Sequence, residues 1–247
     1  MFDGLRPPSL PGHRQAATVA LDDEPLSPSG ALLGPQRPSA TVLAMSAAPR
    51  LYYMPRTRSS RVLWMLEEIG APYELTEIAG SERRSSDHLR RHPLGRVPAL
   101  ELPDGTTMFE SAAICLELAD LYPEAGLIPP AGSPDRGLAY QWVVFGMTEL
   151  EAPLFRWIRD LSQGATESPE RQRFADAATA VESALGGGQW LLGDEFTVAD
   201  VICASVLAGA HSRDLLPEWP RVRAYVERGE ARPAYARAAT IWDRPRS

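Results

Sequence analysis

Along the first fifty residues apolar and polar positions alternate without a sustained period, and from Arg50 the pattern becomes regular. LYYM (51–54) is an unbroken apolar run of the length a buried strand needs. After a polar bend, Val62, Leu63, Leu66 and Ile69 recur at helical spacing until Gly70 supplies a stop. YELTEI reads as a second strand and DHLRRHP as a short helix or turn closed by Pro93. PALEL and TTMFE, joined by the turn PDGT, predict an antiparallel hairpin. Ser111 stands where an N-cap belongs, ahead of a helix whose apolar face is Ala112, Ile114, Cys115, Leu118 and Leu121. The order is βαβ, a short α, then ββα, which predicts a compact α/β domain over residues 50–123.

After LIPPAGSP the spacing is helical throughout. A long helix is expected over 135–160 with a break at Pro153, followed by helices over 169–185, 197–210, 219–228 and 233–242. No strand pattern intervenes, so residues 134–243 read as an all-α domain. Residues 1–49 are rich in proline and glycine, carry Phe2 as their one aromatic, and hold too little apolar surface to offset the entropy of ordering. They are expected to be a disordered tail, or an over-long reading of a gene whose start is Met45. The opening MFDGLRPPSL lacks a basic segment followed by an apolar one, and Asp22, Asp23 and Glu24 argue against a transit peptide.

Composition narrows the function classes. A net charge of −7 and a pI near 5.2 argue against a phosphate-backbone partner, and nucleic acid is set aside. No run of apolar residues is long enough to span a bilayer. The two cysteines, Cys115 and Cys203, sit inside apolar helical patterns and read as buried thiols in a reducing compartment. Four dispersed histidines form no metal-ligand spacing, so no metal is expected. All 25 basic residues are arginine, which points to coding bias rather than to a binding signal.

The candidate chemistry lies at the joins between elements. YYMPRTRSSRVLW crowds Thr57, Ser59 and Ser60 with three arginines into a strand-to-helix bend; HPLGRVPAL places a proline at a strand start; FESAAI ends a strand and opens a helix; FTVADV has the form of a capping box, Thr197 with Asp200. In this order and spacing these residues resemble the soluble glutathione S-transferase superfamily, with a delta/theta-like bend, over residues 51–242. That resemblance implies a thioredoxin-like N-terminal domain followed by an all-α C-terminal domain, a cytoplasmic homodimer, glutathione as co-substrate, and detoxification chemistry.

The resemblance also assigns residues. Thr57 falls where delta-like relatives carry a catalytic serine, with Ser59 as a second hydroxyl and Ser59 and Ser60 as helix caps. Pro98 would be cis, turning the Val97 N–H and C=O toward a peptide ligand like an added strand. Glu110 and Ser111 would hold the ammonium and carboxylate of the γ-glutamyl end, and Arg96 the glycyl carboxylate. For a small apolar electrophile the expected lining is Met54 and Arg56 at the bend, with Tyr140, Trp142, Phe145, Met147 and Glu149 on the first long helix. A free thiol of pKa about 8.5 is roughly 3% thiolate at pH near 7, and lowering it to about 6.5 raises this to roughly 75% for about 2.7 kcal/mol of differential stabilisation. A hydroxyl donor and a helix N-terminus supply energies of that order. A protein of this fold that binds glutathione without useful chemistry, or one that runs isomerisation, dehalogenation or peroxide reduction, shares the same pattern, and fold alone does not separate these.

Overall fold

The computed structural model of the protein describes residues 48–243, so the expectations for the N-terminal extension lie, but for its last two residues, outside the described residues. Four strands form one mixed sheet: β1 (Arg50–Tyr53), β2 (Glu74–Glu77), β3 (Ala99–Glu101) and β4 (Thr107–Phe109), in the order β2-β1-β3-β4. β1 pairs parallel with β2 and antiparallel with β3, and β3 pairs antiparallel with β4, the predicted hairpin. Helix α1 (Ser59–Ile69) forms the crossover from β1 to β2, the short α2 (Ser86–Arg91) precedes β3, and α3 (Ser111–Leu121) follows β4. Gly70 ends α1 in the left-handed region, φ 72°, and its N–H reaches Leu66 O at 3.0 Å, so the stop read from sequence is a true left-handed cap.

Strand alternation sorts the two faces of the sheet. Leu51, Tyr53 and Leu100 join the main core beneath α1 and α3, while Tyr52 and Ala99 turn to the other face with Ile78, Met54 and Val97. On that second face the Arg91 guanidinium lies 4.2 Å from the centre of the Tyr52 ring and Tyr52 donates to Glu101 at 2.7 Å, tying α2 to the sheet.

The second half is helical: α4 (Pro134–Phe145), α5 (Ala152–Ser162), α6 (Pro169–Ala184), α7 (Val198–His211), α8 (Pro220–Glu230) and α9 (Pro233–Trp242). An isolated bridge between Trp190 and Gly193 is its one extended pairing among the described residues. Helix α7 runs through the core with Ser205, Ala208, Gly209 and the terminal His211 half-buried and the rest buried, and Asp200 anchors its start. The Asp200 carboxylate accepts from Thr197 N at 2.8 Å, Leu191 N at 3.0 Å and Tyr225 Oη at 3.1 Å. Burial pushes its pKa upward, and these donors oppose the shift.

The helical stretch predicted over 135–160 with a break at Pro153 is interrupted just before that proline, by a π-helical turn, Gly146–Glu151, between α4 and α5. Pro153 has no N–H to give the preceding turn and its ring crowds the carbonyl four residues back, which a wider turn accommodates. Gly146 lets the turn pass close to α7: a Cβ there would stand 3.0 Å from both Cys203 Sγ and Ile202 Cγ2.

The two halves share one core. Trp64, on α1, is 1% exposed and packs with Phe196 (ring centres 5.6 Å apart) and Tyr235 (5.0 Å) of the helical half. Beside it Glu68 receives both nitrogens of the Arg232 fork at 2.6 and 2.8 Å. Cys115 and Cys203 are both buried free thiols, and loss of solvation pushes the pKa of Cys115 up to about 12. Among the described residues no helix is long and apolar enough to cross a membrane, and no group of acidic, histidine and cysteine side chains has the arrangement of a metal site.

Candidate functional site

The bend between β1 and α1 is held by its own hydroxyls. Thr57 Oγ1 lies 2.7 Å from Met54 O and 3.0 Å from Ser59 Oγ, and it accepts from Ser59 N at 3.3 Å. Its single proton serves one acceptor at a time, and the shortest contact is with the Met54 carbonyl. Ser60 Oγ donates to Thr57 O at 2.8 Å. Neither Ser59 nor Ser60 caps α1 as expected, since Arg58 occupies the N-cap position without a side-chain bond; Thr57 gives the first turn its acceptor instead. Ser59, expected beside Thr57 in the catalytic pair, is not brought to the same surface as Thr57. It has no exposed surface and lines neither of the two cavities that open beside the bend.

Facing the bend is the loop that leads into β3, where the Val97–Pro98 bond is cis. Two buried histidines brace this loop: His88 Nε2 bonds Arg96 O at 2.8 Å, and His92 Nδ1 accepts from Leu94 N at 3.3 Å with its ring 4.9 Å from Phe109. Burial lowers the pKa of His92, against the raising influence of Glu110. At the end of β4, Glu110 adopts φ 71° and ψ 107°, a region that costs a non-glycine residue on the order of 1–3 kcal/mol and that concentrates at functional sites. Ser111 was read as the N-cap of α3, but it is the first helical residue, and Glu110 holds the cap position without a side-chain bond. The Ser111 hydroxyl is therefore not spent on its own helix, and stands 3.4 Å from Arg61 Nη1.

These groups meet around a cavity of about 170 Å³ lined by Arg96, Val97, Pro98, Glu110 and Ser111, with His92 and Met147. The N-terminus of α3 opens at its wall, where unpaired N–H groups favour an anion. A larger cavity of about 610 Å³ adjoins it, and Arg58, Arg96 and Val97 line both. Met54, Arg56 and Thr57 line the larger one, as the sequence led one to expect for the bend.

The aromatic residues expected opposite them do not. Tyr140 is exposed and bonded by Arg136 Nε at 2.8 Å, while Trp142 and Phe145 pack edge to face, 5.2 Å apart, against the core. The wall is built instead from Leu154, Phe155 and Ile158 of α5 and Ser205, Val206 and Gly209 of α7. The wide turn resets which residues of the long helical stretch share a face, so an uninterrupted 3.6-residue period chooses the wrong group.

Glu151, the last residue of the π turn, is a site residue that sequence reasoning missed. Its side chain, 4% exposed, accepts from Arg61 Nη2 at 2.5 Å and from Arg58 Nε at 3.0 Å. Arg61 is equally buried, so this carboxylate neutralises a guanidinium beneath the bend and fixes the floor of both cavities. Glu149, the acid singled out instead, is exposed. The usable signal was Pro153, which forces the turn that brings Glu151 inward.

Comparison with known proteins agrees with this geometry. A family model for the glutathione S-transferase N-terminal domain matches residues 57–121, and one for the C-terminal domain matches residues 151–228. A glutathione S-transferase of Escherichia coli O157:H7 is 30% identical over 197 residues, 74% of this chain and 94% of that protein. A maleylacetoacetate isomerase of Pseudomonas aeruginosa is 30% identical over 203 residues, 76% and 94% of the two chains. The solved structure of a glutathione transferase from Methylococcus capsulatus superposes with a TM-score of 0.68 at 35% identity, covering 79% of this chain and 98% of that one.

Proposed function

We propose a function from the premise that the chain belongs to the soluble glutathione S-transferase superfamily: it holds glutathione in the smaller cavity and activates it as the thiolate for attack on an electrophile in the larger one. The observation that carries this reading is the adjacency of the two cavities, with the Thr57 bend at their junction and Val97, Glu110 and Ser111 on the glutathione side. In it, Val97 pairs with the cysteinyl backbone, Glu110 takes the ammonium, Ser111 and the α3 N-terminus take the γ-glutamyl carboxylate, and Arg96 the glycyl carboxylate. Residues 50–123 are then the glutathione-binding half and residues 134–243 the half that completes the electrophile pocket. Phe109 at the sheet edge and Leu138, Tyr140 and Val144 on α4 are exposed apolar groups that supply the face of a homodimer. A cytoplasmic setting fits the two free thiols.

Thr57 is the proposed thiolate donor, and ultraviolet thiolate absorbance of the glutathione complex across pH tests it. Thr57→Val keeps the shape and removes the donor, so the bound thiol should return toward a pKa of about 8.5. Thr57→Ser should titrate like the wild type. The assignment is wrong if wild type and Thr57→Val titrate together while both bind glutathione, and Ser60, which also lines the larger cavity, is then the next donor to remove.

One observation favours a second reading. The Thr57 hydroxyl is bonded within its own bend, 2.7 Å from Met54 O, and a site whose donor never leaves that carbonyl binds glutathione without acidifying it. A bound thiol that keeps its free pKa in the wild type would select this non-catalytic form.

A further inference from the structure

The larger cavity is arginine-rich on one side and apolar on the other. Arg56, Arg58, Arg61, Arg83, Arg96 and Arg213 line it, and among the described residues no aspartate or glutamate does. Among the described residues Glu151, beneath the floor, is the one carboxylate paired with any of them, through Arg58 and Arg61. Arg83 Nε is occupied by Gly95 O at 2.9 Å and Arg213 Nη1 by Gly209 O at 2.8 Å, neutral acceptors that leave the charge uncompensated. This concentration occurs in a protein whose net charge is −7, so it is a local feature and not a reflection of the whole surface.

Bound glutathione in its thiolate form carries a charge of about −2, which together with Glu151 leaves about half of the guanidinium charge unmatched. Across the cavity stand Met54, Leu154, Phe155, Ile158 and Val206. Arg58 spans the two sides, its guanidinium 5.1 Å from the centre of the Phe155 ring. A cavity of about 610 Å³ with this division suits an organic acid with an apolar body better than an inorganic ion or a neutral hydrocarbon.

We infer that the second substrate is an anionic electrophile, an apolar body bearing a carboxylate that the Arg56 and Arg213 side of the cavity receives. This names the substrate class for the glutathione-dependent reading and rests on it. The arginines add a positive field over the thiolate as well, but their specificity comes from the substrate anion, since a neutral substrate leaves them unpaired.

The probes are para-chloro-meta-nitrobenzoate and its uncharged amide. With either, the thiol gives its proton to solvent, a C–S bond forms at the ring carbon, the C–Cl bond breaks and chloride leaves. After division by the uncatalysed rates, kcat/KM should favour the carboxylate by about 10- to 100-fold, the scale of a hydrogen bond to a charged group. Added salt should lower that ratio, and so should Arg56→Gln with Arg213→Gln. Both side chains are exposed and have no carboxylate partner among the described residues, so the double variant should fold, which its melting temperature checks. A ratio near one, or a preference that neither salt nor the double variant reduces, overturns the inference. Calorimetric binding of glutathione alone, and of each nitrobenzoyl probe alone, separates the two failures. Absent glutathione binding with a salt-sensitive preference for the carboxylate refutes only the glutathione reading. Normal glutathione binding with equal affinity for acid and amide refutes the anion pocket.

Discussion

Replacing Glu151 by glutamine should be among the most destabilising changes available in this protein. The substitution keeps the shape and one acceptor oxygen but leaves Arg61, 5% exposed, with no carboxylate partner. Stranding one member of a buried pair costs about 3–5 kcal/mol, and the retained amide oxygen puts the expected value near the lower end. The Arg58 contact adds under about 1 kcal/mol, because that side chain is 47% exposed and its charge is screened. For a folded body of about 200 residues, each kcal/mol lowers the melting temperature by about 2–4 °C, so a loss of about 6–12 °C is expected in scanning calorimetry. Replacing Arg61 and Glu151 together by leucine should recover most of it, since the penalty comes from the unpaired charge and not from the lost contact. Loss of less than about 1 kcal/mol in Glu151→Gln, with no recovery in the double variant, would show that the pair is solvated and that the burial reasoning is wrong.

Ser111→Ala should weaken glutathione binding by about 1–3 kcal/mol in calorimetric titration while barely changing stability, because Ser111 does not cap its helix. A fall in melting temperature without a change in affinity would reverse that assignment. His92 has a folded-state pKa below its unfolded value, so the unfolded chain binds the proton first on acidification. Its contribution to stability is complete above about pH 6.5 and is lost as the pH falls from there; His92→Asn should flatten the decline of urea midpoints between about pH 7 and 5. An undiminished slope counts against it. Gly146→Ala should cost about 1–3 kcal/mol by forcing a methyl against Cys203 and Ile202, and Cys203→Ala should relieve part of it in the same unfolding assay.

Much of the fold was legible in the chain because its signals are local. The apolar run before Thr57, the left-handed glycine at 70, the turn ahead of Thr107 and the Thr197–Asp200 pair each specify an element without reference to distant partners. That Val97, Glu110 and Ser111 come together around one cavity was legible for the same reason: they sit at element ends, where sequence pattern fixes position. Three things were not. The π turn leaves no periodic signal of its own, and with it went the identity of the larger cavity's far wall and the place of Glu151. Whether Ser59 or Thr57 faces the cavity depends on one turn of backbone that hydroxyl composition does not encode. The convergence of Arg83 and Arg213, 130 residues apart, on one cavity is a tertiary fact invisible to any window along the chain, and in an all-arginine basic set neither stood out.

Trp64 ties the two halves together, so a single melting transition is expected. The indole belongs by chain order to the sheet-bearing half and by surroundings to the helical one, wedged among Phe196, Tyr235 and the Gly229 backbone. Opening the first half withdraws a fully buried indole from the core of the second, and opening the second leaves that ring in water, so neither half is expected to stay folded alone. Unfolding is then expected as one cooperative event, which coincident near- and far-ultraviolet melting curves check. Because both cavities also draw their walls from the two halves, any molecule that seats in either must raise that one transition by mass action, and a thermal-shift screen reads occupancy of the cleft directly, whether or not the occupant reacts.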